Sequence, residues 1–250
     1  MASVTFLGTG PGDVVAGRFQ SSIVLECGGF DVLLDAGEPC SGRLLELGFS
    51  LNDLDAVWLT HAHPDHIGGL PLLLQACRLH GRDRALPLGV PAHLAEPLGH
   101  WLEAVLLPKN RLGFALEDFS WQDGTAVALG ELSVLPRRTS HLPAGEGKEA
   151  FLLDISEADR RLVYTGDLGS VDDLDGVLSR PMDLLVCELC HFSPADLAAK
   201  LQDAQIGVLC LTHMASGLEL RREEIKRLFE SALGGVDAVY LPEDGERIEF

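Results

Sequence analysis

Basic residues are scarce in this 250-residue chain: 19 Lys and Arg stand against 38 Asp and Glu, for a formal net charge of −19. A protein that grips a long nucleic acid must offset many phosphates with cations, so this balance disfavours a large nucleic acid as partner and favours a small anionic substrate. The few Arg pairs (Arg137-Arg138, Arg221-Arg222) and the Arg78, Arg82, Arg84 group form no stripe and read as solvated charges. Arg137-Arg138 alone lies close enough to a candidate site residue to meet a phosphate. No apolar run approaches the roughly 20 residues of a membrane span. The N-terminus shows no basic segment followed by an apolar stretch and cleavage site, so the expected location is cytoplasmic, away from membranes. The six Cys sit mostly on apolar runs such as Val24-Leu25-Glu26-Cys27 and Val208-Leu209-Cys210, which suits reduced buried thiols rather than a disulfide framework. Linkers, low-complexity tracts and solenoid-like short repeats are also missing, and 1–250 reads as a single globular domain with a large core.

Against this background, His61-Ala62-His63-Pro64-Asp65-His66 stands out. It packs three imidazoles and a carboxylate into six residues, directly after the apolar run Ala56-Val57-Trp58-Leu59-Thr60. Imidazoles at i and i+2 on an extended turn can aim two nitrogens at one point, and Asp65 with His66 can face a second point nearby. A pair of metal ions is the natural occupant. Three further candidates follow buried, strand-like runs: His141 after Leu132-Ser133-Val134-Leu135, Asp167 after Arg161-Leu162-Val163-Tyr164, and His213 after Ile206 to Leu211. Each is weak alone, and their common placement is what joins them to the hexapeptide. His80, His93 and His100 have no such setting and read as surface or packing residues.

Short apolar runs alternate with amphipathic segments, which indicates a mixed α/β fold. Strands are expected near 3–7, 21–35, 56–60, 125–135, 150–165, 183–188, 206–212 and 236–240. Helices are expected near 66–80, 91–107, 170–180, 194–204 and 218–232.

The order His-x-His-x-Asp-His, then His, Asp and His, resembles the metallo-β-lactamase superfamily of metallohydrolases. Val32-Leu33-Leu34-Asp35-Ala36-Gly37 is similar to that family's first motif, whose Asp braces the ligands from behind. Phe6-Leu7-Gly8-Thr9-Gly10 and Arg18-Phe19-Gln20-Ser21-Ser22 resemble the ribonuclease Z branch and its phosphodiesterase relatives. The resemblance implies an αββα four-layer sandwich, two mixed sheets flanked by helices, and often a homodimer. It also implies that His61, His63 and His141 hold one divalent metal and Asp65, His66 and His213 the other, with Asp167 bridging. Zinc is the first expectation for the ions, with manganese or iron as alternatives, since imidazole with carboxylate suits all three.

The expected activity is hydrolysis by a two-metal centre, in which a bridging water becomes hydroxide near neutral pH and the ions clamp the substrate's oxygens. Asp65 and His191 are candidates for the acid that protonates the leaving group. In the ribonuclease Z branch the strand at 183–188 tends to end in His-Glu; here Cys187-Glu188 stands in that place, and Cys187 is a poor acid near neutrality. His191, three residues beyond Glu188, is the substitute, and Glu188 is itself a catalytic candidate. The literal haem-attachment pattern Cys187-Glu188-Leu189-Cys190-His191 is set aside because such attachment belongs to exported proteins. His66 looks like a helix start whose dipole adds positive potential for an anion. The charge balance, and the lack of a basic exosite insertion between His141 and Asp167, favour a small, cyclic nucleotide-like phosphodiester over tRNA. Alternatives are a ribonuclease Z-type tRNA 3′ endonuclease, a lactone or thioester hydrolase using Tyr164 or Tyr240 at a carbonyl oxygen, and an inactive binding protein on this fold.

Overall fold

A computed structural model describes residues 2–143 and 147–250. Among these, fourteen strands form two seven-stranded sheets. Across the first sheet the order is Arg247–Glu249, Ser3–Gly8, Ser22–Cys27, Phe30–Leu34, Ala56–Trp58, Leu86–Pro91 and Leu116–Trp121. Across the second it is Val127–Leu129, Leu132–Thr139, Ala150–Glu157, Arg160–Tyr164, Met182–Leu189, Ile206–Met214 and Val236–Tyr240. Read this way, each sheet makes three antiparallel pairings and then three parallel ones. The parallel stretches are joined through helices, as crossover connections require. The chain therefore builds the same half twice, and its last strand returns to edge the first sheet.

Strand periodicity sorts the side chains into layers. Val32 and Leu34 face a core shared by the two sheets, together with Phe6, Phe151, Leu184, Val186 and Cys210. Their neighbours Leu33, Val57 and Leu59 point outward onto the helices Cys40–Glu46, Leu70–Leu79 and Ala95–Ala104. Leu185, Cys187, Leu209 and Leu211 do the same beneath Pro194–Leu201 and Arg222–Ala232. Apolar burial at roughly 25 cal/mol per Å² drives both contacts, and the result is the expected αββα sandwich. No helix among the described residues is long and apolar enough to cross a membrane.

Some expected boundaries shift for local reasons. The segment 21–35 is a hairpin turning at Gly28-Gly29, and 125–135 is a second hairpin whose outgoing strand continues to Thr139. The expected helix at 66–80 is two pieces, Pro64–Ile67 and Leu70–Leu79, and His66 lies at the end of the first. A four-residue helix carries little dipole, so that source of positive potential falls away. Three strands escape the sequence reading. Leu86–Pro91 is interrupted by Pro87, Gly89 and Pro91, Leu116–Trp121 is an edge strand carrying Glu117 and Asp118, and Arg247–Glu249 has only three residues. Gly89 is needed for packing, because a Cβ there would lie 2.3 Å from the Trp121 ring. That ring donates from Nε1 to Leu59 O at 2.8 Å and fixes the chain just ahead of His61.

Candidate metal centre

The sandwich brings all seven expected positions to one end of the two sheets, where strands stop and loops from both halves meet. His61 and His63 follow Ala56–Trp58, and Asp65 and His66 lie on the short helix that begins at Pro64. His141 follows the strand ending at Thr139, and Asp167 the strand ending at Tyr164. His213 is placed by a bulge: Glu188 pairs with Thr212 and Leu189 with Met214, which leaves His213 as the extra residue. Its φ of 49° and that of Asp35, 56°, lie in the left-handed region that non-glycine residues seldom adopt. Strain of this kind gathers where a side chain must be aimed. Gly166, at φ 52°, passes so close to Thr60 that a Cβ would sit 2.7 Å from its side chain, so the loop carrying Asp167 can cross the strand end leading to His61 only as glycine.

The side-chain geometry falls into two groups sharing one carboxylate. His63 Nδ1 lies 3.1 Å from His61 Nε2 and 3.1 Å from His141 Nε2. Asp167 Oδ2 is 3.6 Å from the same two Nε2 atoms. The other oxygen, Oδ1, is 3.2 Å from His66 Nε2 and 3.4 Å from His213 Nε2. Asp65 Oδ2 completes that side at 3.4 and 3.7 Å from those nitrogens. Tetrahedral ligation at about 2.0 Å spaces its donors roughly 3.3 Å apart, so both groups fit a divalent ion. Two atoms in the nest, His66 Nε2 and Asp167 Oδ1, are buried without a hydrogen-bond partner, an arrangement that costs free energy unless something else satisfies them.

Electrostatics point the same way. Burial opposes charge on His66, yet Asp167 and Asp35 carry its imidazole well above the ordinary range. Burial likewise opposes charge on Asp167, and His66 and His213 hold its carboxyl well below the usual one. Burial, followed by repulsion from His66, drives His61 well below its ordinary value. The nest draws in positive charge, yet its crowded imidazoles cannot all be protonated; divalent cations resolve that conflict.

Behind the nest, three of the imidazoles are oriented through their far nitrogens. His66 Nδ1 meets Asp35 Oδ2 at 2.7 Å, His213 Nδ1 meets Ser21 Oγ at 2.8 Å, and His61 Nδ1 meets Thr60 Oγ1 at 3.1 Å. Asp35 also accepts from Thr60 N at 2.7 Å and from Tyr164 Oη at 2.9 Å. Tyr164 is thus a buried brace for Asp35, and Tyr240 is partly exposed on the edge strand Val236–Tyr240. The lactonase alternative loses its carbonyl-binding tyrosine. Asp35→Asn should weaken divalent-ion binding about 10- to 100-fold, the usual effect of removing a ligand's support. Titration against a competing chelator reads this out, and unchanged affinity would show that the Asp35 network plays no part.

The segment after Met182–Leu189 answers the question left by Cys187. Its side chain is buried toward the outer helices, and burial pushes its thiol far up. Glu188 spends both oxygens: Oε1 accepts from Leu168 N and meets His191 Nδ1, each at 2.8 Å, and Oε2 accepts from Cys190 N and His191 N. It positions other groups and has no oxygen to spare for substrate. His191 turns back, its ring centroid 4.7 Å from that of His141 and 6.3 Å from that of His213. The hydrogen bond that His191 donates to the Glu188 carboxylate raises the His191 pKa. Arg137 takes no part, since it lies on the outward side of its strand over Gly176, and Arg138 pairs with Glu149. The six Cys are free thiols, five of them buried. His80 and His100 are exposed, as expected. His93 is half-buried and lines a cavity that His63 also lines.

The solved metallo-β-lactamase-fold protein YhfI from Bacillus subtilis superposes with a TM-score of 0.81 at 20% identity, covering 99% of this chain and 98% of that one. A ribonuclease Z from Pyrobaculum neutrophilum is 29% identical over 99% of this chain and 98% of its own length. The protein is a metal-dependent hydrolase of the metallo-β-lactamase superfamily, in its ribonuclease Z and phosphodiesterase branch. Within it, the chain belongs to the anti-Pycsar protein Apyc1 family, whose model matches residues 2–204. The anti-Pycsar protein Apyc1 of Bacillus phage vB_BsuM-Goe3 is 36% identical over 95 residues, 38% of this chain and 37% of its own.

Proposed function

We propose that this hydrolase cleaves a small phosphodiester of the cyclic nucleotide type with two divalent ions, zinc by preference and manganese or iron as alternatives. His61, His63 and His141 hold one ion, Asp65, His66 and His213 the other, and Asp167 contributes one oxygen to each. The observation that carries this reading is the split of the Asp167 carboxylate, with Oδ2 facing His61 and His141 and Oδ1 facing His66 and His213. When bound, two such ions supply Lewis acidity toward a phosphoryl oxygen and a nucleophilic water at neutral pH. Asp35, Thr60 and Ser21 fix the imidazoles so that little reorganisation accompanies the reaction. His191, held by Glu188 at the mouth of the nest, donates its proton to the departing alkoxide oxygen. Burial opposes charge on Asp65, yet His66 and His213 hold its carboxyl below the ordinary range, whereas Glu188 raises His191, which makes His191 the better donor.

The small substrate is favoured by the charge of −19 and by the stretch between His141 and Asp167, where Ala150–Glu157 and Arg160–Tyr164 form a plain hairpin. A tRNA 3′ endonuclease is the second reading, favoured by the near full-length similarity to ribonuclease Z. One experiment separates them: metal analysis of the purified protein, coupled to turnover of bis-p-nitrophenyl phosphate, a cyclic nucleotide, a lactone and precursor tRNA. Two ions per chain and phosphodiester turnover are expected, lost on chelation and restored by adding metal back. Cleavage of precursor tRNA alone would overturn the small-substrate reading.

A further inference from the structure

His63 belongs to the metal nest and also lines a cavity of about 490 Å³, within the range of small-molecule sites. Leu94, Pro97 and Leu142 give that cavity apolar walls, and among its described lining residues the polar side chains are His63, His93 and Lys148. None of these is a carboxylate, hydroxyl or amide. His93 sits on the turn Ala92–Leu94, where its Nδ1 accepts the Glu149 backbone N–H at 3.1 Å. With Nδ1 accepting, the neutral ring carries its proton on Nε2, and burial lowers the His93 pKa so that the ring stays neutral. The wall therefore presents the uncharged His93 donor beside the Lys148 ammonium, which is also a donor.

We infer that this cavity receives the organic group esterified to the substrate's phosphate, a planar ring bearing a carbonyl, and that His93 Nε2 donates to that carbonyl. This rests on the phosphodiester reading above. The position follows from His63, since a group bonded to a phosphate held at the nest has the cavity as its immediate neighbour. The chemistry follows from the lining. Apolar walls take a ring's faces, a donor takes a carbonyl oxygen, and among the described lining residues an exocyclic amino group finds no carboxylate, hydroxyl or amide side chain to accept from it.

Two nucleotides that differ at this edge of the ring provide the test: inosine 3′,5′-cyclic monophosphate carries a 6-carbonyl and an N1 proton where the adenosine compound carries a 6-amino group and an unprotonated N1. In the metal-loaded protein kcat/KM should favour the inosine compound about tenfold, a typical value for one neutral hydrogen bond. His93→Ala should bring that ratio close to one. His93→Gln, whose amide can both accept from Glu149 and donate, should keep most of it. Saturation-transfer NMR with inosine and adenosine reads the cavity without any hydrolysis: inosine should contact the protein, and His93→Ala should abolish that contact. A ratio unaffected by His93→Ala, or inosine contact that persists in it, overturns the assignment of the cavity. Inosine contact dependent on His93 without turnover of any phosphodiester would instead overturn the phosphodiester reading and leave the cavity standing.

Discussion

Asp167→Ala is expected to empty the centre and to lower kcat/KM by about 10⁴-fold, near 5.5 kcal/mol of transition-state stabilisation. The size of the effect comes from the position of this carboxylate. Its two oxygens are each within 3.6 Å of two imidazoles, on opposite sides of the nest. Removing it takes a ligand from both clusters and leaves crowded neutral and cationic imidazoles without the negative charge that held them together. Elemental analysis of the purified variant, read beside turnover, checks the prediction. Full metal content with ordinary rates would show that the hydrolytic centre lies elsewhere. Asp167→Asn, which keeps the shape but not the charge, guards against a trivial folding defect and should also lose most of the metal.

The second large effect is expected at His191. Replacing it with Ala should cost roughly 10²- to 10³-fold in kcat, the usual worth of a positioned acid, while metal content stays at two ions per chain as proposed for the parent. A substrate with an activated leaving group such as p-nitrophenolate needs little help from an acid, so the loss should shrink sharply there. Glu188→Gln supplies the complementary measurement. The Glu188 carboxylate raises the His191 pKa, so its removal lowers that pKa, and the alkaline limb of the pH–rate profile should move to lower pH. The sign is fixed by the role: an acid works while protonated, so activity falls as pH rises through its pKa. A limb that stays put, or moves up, would separate His191 from proton transfer.

Most of the centre was legible in the sequence because its chemistry is concentrated. Three imidazoles and a carboxylate in six residues have few other uses, and His141, Asp167 and His213 each follow a buried apolar run. The sheets were legible where strands were long and apolar. They were hidden at Leu86–Pro91, whose prolines and glycine serve the packing of Trp121. Other features depend on contacts that no local pattern announces. Tyr164 reaches Asp35 across 129 positions, so its hydroxyl could not be assigned from composition. The bulge at His213 is visible only once its strand is paired with Met182–Leu189. His93 looked ordinary because its partner is a backbone N–H and its neighbour in space, His63, is 30 positions away. Glu188 was read as a catalytic candidate, and its four hydrogen bonds make it a brace for His191.

The doubled three-plus-three pattern of the sheets also bears on how the protein responds to stress. His61, His63, Asp65 and His66 come from the first half, while His141, Asp167 and His213 come from the second, so the proposed ions act as a clasp across a seam between two similar lobes. Opening either lobe alone releases them. By mass action an ion at a hundredfold excess over its dissociation constant adds about 2.7 kcal/mol of resistance to unfolding, and here that resistance is shared by both lobes, so that they melt together when loaded and are freer to part when stripped.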